Sequence, residues 1–331
     1  MRVISVEDPS NPPPEAVDDI ILLGADADLI EEISPYLASR GVFAIVAEHP
    51  MERKVRVDIG RIHYDRILYI GGTGPDIAEI YATPVRSSLR PGGRVWFVGA
   101  GGPIGRMHVQ YAIMREEGPE TVFCTALRSA RLRAVESAYR LDAQRKGVEF
   151  VCVAREENER YLEVLQTVGQ AGFDDIIVLA PEASATEEAA QYLKPGAVLN
   201  VFTGVARGTM AALDLSAVYI KGVRYIGFSG STLDDMRTTL EWIESGLLSP
   251  NRLVTAVGSL SAAREGLTAV AESWFPGKVV IYPNIVDFPL TRVDELNRVL
   301  PSVYARLADG REWTKEAEDE FLRLLLDPVA P

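Results

Sequence analysis

The sequence predicts an α/β protein made of tandem Rossmann-like, doubly wound parallel sheets, the first copy incomplete, with a helical C-terminal tail. Three observations carry that expectation. Residues 18–74 lie on residues 174–230 without a gap at a constant offset of 156 (174 − 18), and 16 of the 57 pairs are identical, against about 6–7% by chance for ordinary composition. Uniformly apolar runs of strand length alternate with helical patterns, which implies parallel pairing with both sheet faces covered. A third observation is the run Val95-Trp96-Phe97-Val98-Gly99-Ala100-Gly101-Gly102-Pro103-Ile104-Gly105, a strand entering glycines and then a helix.

The identities fall where a fold would need them. Asp18-Asp19-Ile20-Ile21 matches Asp174-Asp175-Ile176-Ile177, Glu31-Glu32 matches Glu187-Glu188, and Tyr36-Leu37 matches Tyr192-Leu193. Asp58 matches Asp214, and Tyr69-Ile70-Gly71 matches Tyr225-Ile226-Gly227. A period this long is a duplicated domain, since solenoid and propeller repeats run about 20–50 residues. The copies are unequal. Val3-Ile4-Ser5-Val6 reads like Phe150-Val151-Cys152-Val153, a third strand, so the first copy begins in mid-fold, without the strands that would carry its own phosphate-binding turn.

Residues 8–16, with four prolines, read as an extended surface loop. A strand follows at 20–24, then a helix at 29–39 with Leu29, Ile30, Ile33 and Leu37 on one face, and strands at 42–46 and 67–70. Residues 76–89 suggest a helix interrupted near Pro84, and Pro91-Gly92-Gly93 a turn into a strand at 95–98. The second copy continues with helix 105–117, strand 121–125, helix 128–146, strand 149–153, helix 157–168, strand 175–180, helix 185–193 and strand 198–203. Helices at 232–247 and 262–274 precede a last strand at 279–282, and 290–331 reads as two further helices. The domains expected are a partial repeat at 1–74, a complete dinucleotide-binding domain at 75–289, and the tail at 290–331.

Composition bounds the function. With 331 residues, 47% apolar and 24% charged, the chain has the make-up of a soluble protein with ample core. No apolar run approaches the ~20 residues of a membrane span, and Met1-Arg2-Val3 opens without a signal-peptide core, so a cytoplasmic protein with no membrane partner is expected. A net charge of −13 argues against nucleic acid, whose phosphates need clustered Lys and Arg. Cys124 and Cys152 each sit in an expected strand and read as buried thiols.

The glycine turn has a physical rationale. Missing Cβ atoms let backbone N–H groups approach a diphosphate, and a helix N-terminus offers partial positive charge. In register the fingerprint is Ala100-x-Gly102-x-x-Gly105, with Ala where the first glycine is usual; its place between a strand and a helix is the required context. At the end of the next strand, NAD-binding proteins carry an acid for the ribose 2′-hydroxyl, whereas a 2′-phosphate needs that acid removed and arginine nearby. Here the strand ends Cys124-Thr125-Ala126-Leu127-Arg128, with Arg131 one turn on. This suggests NADP(H) ahead of NAD(H), with Thr125 and Arg128 in contact; the alternative is that these arginines form a solvated helix face.

With these motifs placed, residues 78–283 resemble the nucleotide-binding portion of the medium-chain dehydrogenase/reductase superfamily, of the zinc-type alcohol dehydrogenase kind. The resemblance rests on Leu89-Arg90-Pro91-Gly92-Gly93-Arg94-Val95, the turn through Gly105, Phe173-Asp174-Asp175-Ile176, and Pro276-Gly277-Lys278-Val279-Val280-Ile281. The branch typified by L-sorbose-1-phosphate reductase is nearest, through Gly172-Phe173-Asp174-Asp175-Ile176, Asn200-Val201-Phe202 and Gly230-Ser231-Thr232-Leu233-Asp234-Asp235-Met236.

The resemblance implies that Ala180, Gly204, Phe228 and Ser229 face the nicotinamide, alongside Ala100, Gly101, Gly102, Pro103, Ile104 and Gly105 on the cofactor. The first copy has Gly24, Glu48 and Gly72 at three of those places and reads as structural, paired with the second. The superfamily's zinc ligands belong to an N-terminal barrel-like domain, and nothing here corresponds: His49, His63, His108 and the two cysteines share no zinc spacing. No zinc is expected in this chain, and no catalytic residue is assigned. The expected function is the NAD(P)-binding portion of an alcohol, polyol or sugar-phosphate oxidoreductase that needs a zinc-bearing segment or partner chain. The alternative is a non-catalytic dinucleotide-binding sensor or assembly module; homo-oligomerisation stays open.

Overall fold

The computed structural model describes residues 15–326. The strand expected at 3–6 and most of the loop expected at 8–16 lie outside the described residues. In chain order the elements are β1 (Val17–Leu23), α1 (Ala27–Ile33), β2 (Leu37–Val46), β3 (Val55–Asp58), α2 (Ile59–Asp65), β4 (Leu68–Gly72), α3 (Ile77–Ala82), β5 (Arg94–Val98), α4 (Pro103–Met114), β6 (Thr121–Ala126), α5 (Ser129–Lys146) and β7 (Glu149–Ala154). They continue with α6 (Glu159–Gly169), β8 (Phe173–Val178), α7 (Ala183–Ala190), β9 (Leu193–Val201), β10 (Met210–Leu213), α8 (Ser216–Ile220), β11 (Arg224–Gly227), α9 (Leu233–Glu244), β12 (Val254–Ser259), α10 (Ala263–Ala271), β13 (Lys278–Tyr282), β14 (Thr291–Arg292), α11 (Leu296–Val299), α12 (Pro301–Tyr304) and α13 (Lys315–Leu325).

The described residues form two compact units: 15–100 with 112–232, and 101–111 with 233–326. In the first, a six-stranded parallel sheet has the order β11-β9-β8-β5-β6-β7, and a three-stranded parallel sheet the order β1-β2-β4. Read from β7, the large sheet is the 3-2-1-4-5-6 order of the doubly wound nucleotide-binding fold. Among the described residues, the small sheet supplies the counterparts of its last three strands, each 156 residues earlier.

The duplication is visible in the contacts. β3 pairs antiparallel with β10, and Arg56 faces Ala212, the same position in both copies (212 − 56 = 156). A local two-fold axis therefore passes between them. Its consequences recur in pairs. A Cβ on Gly71 would lie 2.7 Å from Tyr219 Cβ, while one on Gly227 would lie 2.6 Å from His63 Cα; 71 and 227, and 63 and 219, are equivalent positions. His63 is buried and its Nδ1 lies 2.9 Å from the Val201 carbonyl oxygen, which makes it a core histidine joining the copies. The two copies share one apolar core that includes Phe43, Ile45, Val57, Tyr69, Trp96, Phe173, Leu199 and Tyr225.

Local sequence explains the elements and the departures. Asp26 caps α1, accepting from Leu29 N at 3.0 Å. The helix expected over 29–39 is shorter because Pro35 follows in a 3₁₀ turn, and β2 already begins at Leu37. In the same way α3 stops at Ala82, two residues before Pro84. Asp58 caps α2 through Oδ1 and accepts the Gly208 amide on Oδ2 at 2.7 Å, so this identity between the copies serves a helix start and the contact between them. The backbone at Arg40 takes φ 66°, matching Gly196 at φ 68°.

Asp174 and Asp175 are buried at the start of β8. Asp175 receives Arg86 Nη1 at 2.5 Å and the Arg90 amide at 2.8 Å; Asp174 receives the Arg94 amide and Lys194 Nζ, each at 3.0 Å. Burial opposes ionisation of both. For Asp174 the Arg94 amide, Lys194 and Arg90 outweigh it and hold the carboxyl below its ordinary value, whereas burial prevails at Asp175 and raises it. The Asp-Asp repeat signature thus ties residues 86–94 to the sheet. Trp96 fills the centre, its ring 5.4 Å from Phe123 and 5.3 Å from Phe173, its Nε1 donating to Thr125 Oγ1 at 2.9 Å.

In the second unit β12 pairs with β13 in parallel and with β14 antiparallel. The C-terminal helices close a core of Val257, Phe288, Leu296, Trp313 and Phe321. The tail is helical, with β14 at its start. Among the described residues, no helix is long and apolar enough to cross a membrane.

Candidate dinucleotide site

In an open α/β sheet, ligands bind beyond the carboxyl ends of the strands, where the strand order reverses. The reversal here lies between β5 and β8, and a cavity of about 350 Å³ opens there. Its lining comes from the ends of three strands and the helices beyond them: Val98 and Gly99 at the end of β5, Thr125 to Leu127 at the end of β6, and Ala180, Glu182, Ser184, Ala185 and Glu188 after β8. Arg155 and Tyr161 complete the wall. Arg155 Nη1 and Tyr161 Oη both donate to Glu188 Oε2, at 2.8 and 3.0 Å, which fixes one side. Burial, then the Glu188 charge, raises the Tyr161 phenol above its ordinary value.

The turn after β5 departs from the fingerprint in an informative way. Gly99 takes φ +91°, and a Cβ there would lie 2.9 Å from Ala180 N. The conformational work assigned to a first glycine is therefore done one residue before Ala100, whose side chain is fully buried. The Gly99 and Ala100 amides both donate to the Thr125 carbonyl at 2.8 Å, which locks the ends of β5 and β6 together. At Gly102 an added Cβ would meet nothing within 4 Å. Gly101 and Gly105 are buried, Pro103 half-buried and Ile104 exposed.

The other expected residues separate into two groups. Thr125 and Ala180 line the cavity. Gly204, Phe228 and Ser229 instead meet the first repeat: a Cβ on Gly204 would lie 2.9 Å from Tyr64 Oη, Arg66 stacks 3.8 Å over the Phe228 ring, and Arg66 Nη2 donates to the Ser229 carbonyl at 3.3 Å. Arg128 is exposed just before α5.

One residue that the sequence reading passed over stands beside it. Glu156 Oε1 accepts from Ser129 N at 2.6 Å and Ser129 Oγ at 2.7 Å. The Ser129 hydroxyl first, then its amide, with Arg128 and Arg133 adding attraction, hold this carboxyl below its ordinary value. A carboxylate from beyond β7 thus stands at the start of α5, beside Arg128.

Cys124 and Cys152 are free thiols facing each other across β6 and β7, Cys124 buried and Cys152 half-buried. Among the described residues, no group of three His, Cys, Asp or Glu side chains converges as a metal ion would require.

No protein-family model matches the chain. The chain is similar to three curated proteins: an uncharacterised protein, YggP, of Escherichia coli, 29% identical over 252 residues (73% of this chain, 59% of the relative); mannitol-1-phosphate 5-dehydrogenase of Aliivibrio fischeri, 30% identical over 210 residues (62% and 49%); and L-sorbose 1-phosphate reductase of Klebsiella pneumoniae, 28% identical over 239 residues (71% and 56%). The chain spans about half the length of the curated relatives it matches. By sequence, the chain is thus similar to a polyol-phosphate dehydrogenase and a sugar-phosphate reductase.

Proposed function

We propose that this chain binds a nicotinamide dinucleotide at the carboxyl edge of its six-stranded sheet, as the cofactor-binding portion of an oxidoreductase acting on polyols or sugar phosphates. The observation that carries the reading is the cavity at the strand-order reversal, built on a Gly99 that no side chain could replace without meeting Ala180. A bound nicotinamide would give a hydride to, or take one from, a substrate carbon. The chain's own part is positioning. Thr125, Leu127 and Ala180 line one cavity and would hold the adenosine half, a different place for Ala180 from the nicotinamide contact that the resemblance implies, and Gly101, Gly102, Pro103, Ile104 and Gly105 are proposed, from sequence context, for the diphosphate. The similarity to mannitol-1-phosphate 5-dehydrogenase and L-sorbose 1-phosphate reductase supports the substrate class. Hydride transfer would draw its zinc and substrate groups from a further segment or a partner chain.

A second reading has a specific observation behind it. Gly204, Phe228 and Ser229, which the resemblance places at the nicotinamide, lie against Tyr64 and Arg66 of the first repeat. That favours a dinucleotide-binding module that senses or assembles rather than reacts. Titration calorimetry with NADH and with ADP-ribose separates the two. Under the first reading NADH binds more tightly, because the nicotinamide adds contacts; under the second, the two bind equally. Binding of neither defeats both.

A further inference from the structure

We infer that Glu156 is the residue that selects between the two nicotinamide dinucleotides, directing the site to NAD(H) by filling the place a 2′-phosphate would take. This rests on the dinucleotide reading above. The geometry follows from sheet register. Ala126 at the end of β6 pairs with Ala154 at the end of β7, so the residues after 154 run beside the start of α5. The Glu156 amide donates to the Leu127 carbonyl at 3.1 Å, and this hydrogen bond fixes the loop so that the side chain reaches Ser129. Leu127 and Arg155, the chain neighbours of this contact, both line the cavity. The loop that carries the carboxylate therefore adjoins the cavity lining.

The donors around it form an anion cradle. Ser129 offers its amide at the first turn of an 18-residue helix and its hydroxyl. Arg133 Nη1 donates to that same hydroxyl at 3.2 Å, and the Arg128 charge attracts the carboxylate. In isolation this set, a helix N-terminus with serine and two arginines, would suit a phosphate. In this chain the cradle already holds an anion of its own. Glu156 is exposed, so packing does not force it there. A ribose 2′-hydroxyl can donate to the carboxylate. A 2′-phosphate meets like charge and has to displace it.

The test measures dissociation constants for NADH and NADPH, by calorimetry at fixed salt, on the full chain and on Glu156→Gln. Glutamine keeps a carbonyl acceptor for Ser129, so the loop keeps its anchor. The wild-type chain is expected to bind NADH more tightly, and the variant to lower the NADPH to NADH ratio of dissociation constants about tenfold, chiefly by gaining NADPH. Adenosine 2′-phosphate, as a probe of the cradle alone, should bind the variant better than the wild type. A wild-type preference for NADPH, or a ratio unchanged by Glu156→Gln, overturns the inference while leaving dinucleotide binding standing. Failure of both proteins to bind either nucleotide overturns the inference together with the reading beneath it.

Discussion

Replacing Gly227 by alanine tests whether the two copies are packed as the pseudo-two-fold axis requires. The new methyl would lie 2.6 Å from His63 Cα and 2.7 Å from the Ile62 carbonyl oxygen, backbone atoms that no rotamer change can move. Its equivalent, Gly71→Ala, meets Tyr219 Cβ at 2.7 Å, with the Ile45 carbonyl oxygen closer still. Neither glycine has positive φ, so the cost is steric and not conformational. Overpacking of this kind costs about 1–3 kcal/mol, and each kcal/mol lowers Tm by about 2–4 °C in a domain of this size. Gly204→Ala meets the Tyr64 hydroxyl at 2.9 Å, its other neighbours lying at 3.8 Å or beyond; that far end of a side chain can swing away, so the loss should be under about 1 kcal/mol. Urea and thermal unfolding of the three variants supply the comparison. If Gly71→Ala and Gly227→Ala are no more destabilising than Gly204→Ala, the contact between the copies is not as described.

Further outcomes follow from single sites. Arg86→Ala leaves the buried Asp175 without its ion-pair partner and should cost about 3 kcal/mol in urea unfolding; a change below about 1 kcal/mol would show that the Arg90 amide suffices. Trp96→Ala opens the centre of the large sheet and should cost about 3–5 kcal/mol, read from the same denaturation curves. The Glu320 carboxyl is held at about 2, first by its hydrogen bonds with Arg323. A lowered folded pKa means that its contribution is complete above the ordinary value of 4.5 and is lost as pH falls from there toward 2. Trp313 fluorescence should follow acid unfolding of that unit, and Glu320→Gln should flatten the pH dependence in this window. Gly102→Ala should leave Tm nearly unchanged, since nothing lies within 4 Å of its Cβ position, yet weaken NADH about tenfold by crowding the turn.

The duplication and the large sheet were legible because they are written in local pattern: apolar runs, glycine turns and a gapless self-alignment. β3 and β10 were not. Each is four residues long and gains its ladder from the other copy, about 150 residues away in sequence, so no window of local pattern contains the reason for it. The helix over 29–39 was overextended because apolar spacing continued past Pro35, where the backbone leaves the helix. The cavity residues Thr125 and Ala180 could be read from their place after strands, whereas Glu156 lies in the acidic run Arg155-Glu156-Glu157-Asn158-Glu159 and nothing local distinguishes it. Only the pairing of β6 with β7 brings it to Ser129. The first repeat's contacts with Gly204 and Phe228 were likewise invisible, since they join the two copies.

The central claim is that the strand-order reversal of the six-stranded sheet binds a nicotinamide dinucleotide. The most direct measurement is a crystal structure of the chain grown with saturating NADH. The account predicts the adenosine half in the crevice between Leu127 and Ala180, with its ribose 2′-hydroxyl toward Glu156. A crevice empty at saturation, with the nucleotide absent or bound elsewhere, would contradict it.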